Sequence, residues 1–160
     1  MKLVWQQPEL IVHSKRLYRS FQYWTGKFLV DTEGTDEEIA RSLFEAPFIL
    51  VSHGMEADPI LNYGNLAALN LWQMDWEKFT SAPSRHTAEP VAREERERLL
   101  MQAQTHGYIS NYNGIRISST GKRFEIKSAI VWNVLDEEDR KCGQAATFSE
   151  WSYIDEGNFS

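Results

Sequence analysis

The chain has 160 residues, 42% of them apolar and 12% aromatic, and 17 basic residues against 23 acidic ones leave a net charge of −6. That is about one domain of chain with enough apolar mass for a core, and the absence of any long Lys/Arg block argues against a protein whose main work is gripping a phosphate backbone. A single cysteine, Cys142, excludes an internal disulfide; no Cys/His spacing suits zinc, and neither a signal-peptide core nor an 18-residue apolar run occurs, so the expected setting is soluble and cytoplasmic.

Residues 9–30 carry Leu10, Leu17, Phe21, Trp24 and Phe28 at helical spacing. Ser14, Lys15, Arg19 and Gln22 fall on the opposite side, and Gly26 marks the weak point or the end. Such a helix docks either on its own domain or on a second copy. Thr35 followed by Glu38 forms a capping-box pattern for a short helix reaching 44 or 45. Pro47 then breaks the chain, and residues 48–53 and 60–63 read as a strand hairpin.

Asn65 is a good N-cap for a helix with Leu66, Leu69 and Trp72 on one face, and Asp75 caps a second short helix carrying Trp76 and Phe79. Pro90 suits the first position of a longer helix, Leu99 and Leu100 supply its inner face, and Gly107 suits the left-handed residue that ends it. The period then changes. Residues 108–117 form a strand, 118–121 a turn, and Phe124, Ile126, Ile130, Trp132 and Val134 alternate along the next strand as one buried face. A charged turn leads to a last strand over 142–154, completing a three-stranded antiparallel meander. The expected fold class is α+β, with one antiparallel sheet of about five strands, short helices on one face and an extra N-terminal helix.

That order of elements is the order of a PAS domain, and "ILNYGNLAALNLWQMDWEKFT" resembles its strand–Asn–helix–short helix pattern. The runs "APFILVSHGMEADPILNYGNLAALNLWQMDWEKFT" and "GYISNYNGIRISSTGKRFEIKSAIVWNVLDEEDRKCGQAATF" resemble the MEKHLA domain family, a PAS-related group, over roughly residues 10–148. The family occurs at the C-terminus of plant class III homeodomain–leucine zipper proteins and as small bacterial proteins. The chain looks like the stand-alone bacterial type, so DNA binding does not carry over. The resemblance divides the chain into a helical extension (1–46), a PAS-like domain (47–154) and a tail (155–160). It implies a sensory or protein-interaction module, holding a small ligand between sheet and short helices or pairing through the N-terminal helix or the sheet face, with no direct contact to nucleic acid or membrane.

Trp72, Trp76, Phe79, Phe124, Trp132 and Phe148 are candidate walls of one cavity, with Tyr63 and Asn65 as polar fingers. Leu69, Met74, Leu100 and Ile126 complete the expected ligand-binding set, and the alternative, that these side chains simply fill the core, stays open. Asn65 reads as a helix cap before it reads as a ligand contact. No cofactor is named. Flavin–cysteinyl chemistry is not expected because Cys142 begins the last strand, and haem is not expected because His106 and His86 end and precede the long helix, while His13 and His53 are isolated. Lys122 and Arg123, beside Arg116, read as a solvated hairpin tip, with anion binding as the alternative. No nucleophile elbow or phosphate loop is present. The competing function, a small isomerase- or hydratase-like cavity enzyme, would use Asp58 or His53 as base.

Overall fold

The structure is a computed structural model that describes residues 4–32, 34–87 and 90–154; at positions 90–93, 96, 100, 103 and 104 it describes the backbone alone. Among the described residues, five α-helices, α1 (Pro8–Thr25), α2 (Asp36–Phe44), α3 (Leu66–Trp72), α4 (Trp76–Phe79) and α5 (Pro90–His106), accompany six strands. These are β1 (Ile49–His53), β2 (Leu61–Gly64), β3 (Tyr108–Ile117), β4 (Arg123–Leu135), β5 (Lys141–Phe148) and β6 (Glu150–Tyr153). They form one antiparallel sheet in the order β2-β1-β5-β4-β3, and β6 pairs with β4 beyond the end of β5. The sixth strand arises because the expected last strand breaks at Ser149. No helix among the described residues is long and apolar enough to cross a membrane.

The local signals act as their chemistry requires. Thr35 and Glu38 form a full capping box. Asn65 Oδ1 accepts from Ala68 N–H at 3.2 Å and Asp75 Oδ1 from Lys78 N–H at 2.8 Å, so both caps are made. Gly26 ends α1 at φ 74° and Gly107 ends α5 at φ 94°. Gly107 has a second reason to lack a side chain: a Cβ there would run into the Trp24 ring.

The sheet is covered on both faces. On one, α1 and α2 bury Leu10, Leu17, Phe21 and Leu43 against Leu50, Trp132, Val134 and Ala145. Phe21 meets the Trp132 ring edge-on at 4.9 Å, and Trp132 Nε1–H donates to Ser20 Oγ at 3.1 Å. Trp24 Nε1–H donates to the Asn133 carbonyl at 2.8 Å. Arg16 grips Glu137 with two bonds of 2.7 and 2.6 Å, and Arg19 donates to the Asp136 carbonyl, tying α1 to the β4–β5 turn. Two residues depart from the helix pattern. Ser14 is fully buried, and Phe28, past the end of α1, is 62% exposed.

The largest departure lies inside β4. Ser128 adopts φ 55°, and the β3–β4 register shifts around it. An extra residue in a strand moves every later side chain to the opposite face. Phe124 and Ile126 therefore share a core with Ala129 and Val131, whereas Trp132 and Val134 turn to α1. The five alternating residues of this strand divide between two faces.

Candidate functional site

The second face of the sheet lies under α3, α4 and α5 and encloses a cavity of about 70 Å³. Its floor is the row Val51, Ala146 and Val131 from three adjacent strands, with Ile126 beside it. Trp72, Phe79 and Phe148 make the aromatic wall, and Leu99 reaches in from α5. The free space is below the roughly 150 Å³ that takes benzene in an engineered apolar cavity. A slender group fits as the walls stand; a ring requires them to part.

The wall is held by the corner between β2 and α3. Asn65 is wholly buried, and besides capping α3 it accepts from Leu50 N–H at 3.2 Å and donates to the carbonyls of Leu43 and Phe48 at 3.0 and 2.9 Å. One side chain thus satisfies backbone groups from α2, α3, β1 and the α2–β1 link. Gly64 lets α4 approach: a Cβ would lie 2.7 Å from the Phe79 ring. At the other end of α3, Gln73 takes φ 58° and its side chain accepts from Ser118 Oγ at 2.9 Å, while its carbonyl accepts from Ser119 Oγ at 2.7 Å. The two short helices are therefore pinned at both ends. Trp72 meets Phe124 edge-on at 5.3 Å, and its Nε1–H is buried without an acceptor.

Polar groups also border the cavity. Tyr112 and Arg116 stand on β3 with Gly114 between them. Arg116 is 8% exposed; Nη2–H donates to Tyr112 Oη at 2.9 Å, Nη1–H to the Ile115 carbonyl at 2.9 Å, and the guanidinium sits 5.4 Å from the Tyr112 ring centre. A Cβ at 114 would lie 2.5 Å from Tyr112 Oη and 3.0 Å from Arg116 Nη1, so glycine gives this pair its room. Arg116 is thus a buried wall residue and not part of the hairpin tip with Lys122 and Arg123. His53 borders the cavity as well, with Nδ1 3.0 Å from the Gly54 carbonyl oxygen.

Of the expected ligand-binding set, Trp72, Phe79, Ile126 and Phe148 border the cavity. Leu69 and Phe124 belong to the same core cluster behind the wall, and Met74 packs on its edge. Tyr63 and Trp132 stand in the α1-side cluster, Trp132 because of the switch at Ser128. Tyr63 lies against His13 and Trp76, and burial pushes its phenol far up, offset in part by the Ser14 hydroxyl. Asn65 spends its hydrogen bonds on the corner. The Leu100 side chain lies outside the described residues. Arg116 and Tyr112 were not in that set; the signal for them is Tyr–x–Gly–x–Arg at strand spacing.

The other candidates fall elsewhere. Asp58 is paired to Arg85 Nε at 3.0 Å. His86 and His106 are exposed. Cys142 packs on the α1 side, and burial pushes its thiol up. Among the described residues no cluster of His, Cys, Asp and Glu is arranged to hold a metal.

A family model described as the MEKHLA domain matches residues 11–153. Similar curated proteins include the homeobox-leucine zipper protein HOX32 of Oryza sativa subsp. japonica, 20% identical over 149 residues, which cover 92% of this chain and 17% of the relative. The homeobox-leucine zipper protein ATHB-15 of Arabidopsis thaliana is 21% identical over 148 residues, 92% of this chain and 18% of the relative. The chain spans less than a fifth of the length of these relatives. Among solved structures, a PAS domain of a Colwellia psychrerythraea protein matches with TM-score 0.63 at 13% identity, covering 74% of this chain and 95% of that one. A light-oxygen-voltage domain studied with a flavin analogue matches with TM-score 0.55 at 13% identity, covering 76% and 87%. An RNA-binding light-oxygen-voltage receptor matches with TM-score 0.58 at 14% identity, covering 79% of this chain and 35% of the receptor. At these identities the likeness is one of fold.

Proposed function

The chain belongs to the MEKHLA domain family, and from that premise we propose that it is a PAS-like sensory or protein-interaction module that takes a small apolar or aromatic ligand into the cavity. Occupancy is passed to a partner chain or to a second copy, in the cytoplasm. Residues 47–154 form the ligand-holding part, and α1 and α2, within residues 1–46, cover the other face of the sheet. The observation that carries this reading is a mostly apolar cavity with a few polar groups at its wall, enclosed by short helices pinned at both ends.

The inner faces of α1 and of the sheet are occupied by one another, so a partner or second copy meets the outward side of α1, where Val12 and Tyr23 are exposed. The family match and the PAS-like fold support reading the chain as a sensory module in preference to an enzyme. The isomerase- or hydratase-like alternative has His53 and Tyr112 at the cavity, but its Asp58 base is held in an ion pair at the surface.

Native mass spectrometry of the protein purified from its source cells tests the reading. The expected spectrum contains the chain plus one small molecule, released on denaturation, and a complex with a partner or second copy. A bare monomeric chain throughout contradicts it.

A further inference from the structure

The cavity wall is unbalanced. It holds an arginine, Arg116, that is more than nine-tenths buried as a residue, and among the described residues no carboxylate pairs with it. A buried cation without a counter-charge is costly. Two neutral oxygens and the face of one tyrosine are its partners, and they use two of its five N–H groups. The Tyr112 hydroxyl accepts from Arg116, which leaves its own proton to donate. Trp72, across the same cavity, has a buried N–H without an acceptor. The wall also carries Ser52, His53, Ser84, Thr87 and Gln144, all neutral or polar and none a carboxylate, so the positive charge of Arg116 stands without a negative one on the cavity lining.

We propose that the cavity is a receptor for a small monocarboxylate with an apolar body, its carboxylate held by Arg116 and Tyr112 and its body lying against the floor of Val51, Ala146 and Val131. This rests on the reading of the cavity as a ligand site. A planar fork with free N–H groups matches a carboxylate with two parallel bonds, and a single cation balances a single negative charge. The space of about 70 Å³ favours a slender aliphatic body, and a ring enters as the aromatic wall parts. Gly114 belongs to the device, since any side chain there would displace both anchoring groups.

The test is calorimetric titration of the full chain with hexanoate and phenylacetate, each against its neutral amide, hexanamide and phenylacetamide. The expected result is that each acid binds roughly 10- to 100-fold more tightly than its amide, the worth of hydrogen bonds to a charged group. Arg116→Gln is expected to abolish that preference while keeping the amides' affinity. Tyr112→Phe, which leaves the cation in place, is expected to weaken the acids severalfold; it carries the test if Arg116→Gln does not fold. Amides that bind as tightly as acids to the wild type, or an acid preference that survives Arg116→Gln, overturn the carboxylate assignment and leave the ligand site standing. Silence from all four probes overturns both.

Discussion

Two buried indoles stand on opposite faces of one sheet. Trp132 is fully enclosed, its N–H is donated to Ser20 and its ring is closed off by Phe21. Trp72 is 3% exposed, its ring is surrounded by Phe79, Phe124 and Phe148, and its N–H has no acceptor. The first face is covered by α1 and α2. The second keeps open space, a lone guanidinium and an unmet donor. Buried polar atoms without a partner occur on both faces, Ser14 Oγ and Tyr63 Oη on the α1 side and Trp72 Nε1 on the other, whereas the open space lies beside the second, where a ligand would restore packing.

Truncation on the first face has the largest effect. Trp132→Ala is expected to destabilise by about 3–5 kcal/mol, the usual cost of removing a buried aromatic side chain, read from urea unfolding. Next comes pH. His13 on α1 shares a 2.9 Å hydrogen bond with Ser52, and burial, helped by the Arg16 charge, pushes its imidazole down to about 4. The unfolded chain then binds the proton more readily than the folded one. Stability is complete above the ordinary imidazole value of 6.5 and is lost as pH falls toward 4, by on the order of 3 kcal/mol. His13→Gln is expected to flatten that part of the stability–pH profile.

A smaller pair sharpens the contrast between the indoles. Ser20→Ala leaves the Trp132 N–H buried and unmet, at a cost of about 1–3 kcal/mol. Trp72→Phe removes a donor that has no acceptor, so its expected cost in the ligand-free chain, about 1–2 kcal/mol, is that of the packing lost with the smaller ring and includes no hydrogen bond. A Trp72→Phe loss well above that range would mean that the Trp72 N–H is satisfied in solution and that the two indoles do not differ as described.

The local punctuation was legible in the sequence because its causes are local. Asn65, Asp75, Thr35 with Glu38, Gly26 and Gly107 each do what their short-range chemistry demands. The order of helices and strands followed from these stops and from period. The face of each side chain in β4 did not follow, because one residue in a left-handed conformation inverts the alternation and Ser128 carries no mark of it. That single inversion is why Trp132 was grouped with Phe124. Arg116 was read with its basic neighbours at the turn, since burial of a charge depends on tertiary enclosure and on the room that Gly114 leaves. Ser14 on α1 reads as solvent-facing from its spacing, yet it is buried where the helix lies on the sheet.

The central claim is that the second face is kept open for a ligand, and Ala146 at the middle of its floor tests it most directly. Ala146→Leu fills the cavity from the strand beneath it. The account predicts a chain that unfolds at the same or a higher temperature than the wild type, as cavity filling commonly adds about 0.5–2 kcal/mol, and that no longer carries a small molecule in native mass spectra. A variant that retains the bound molecule at the wild-type ratio would contradict the account.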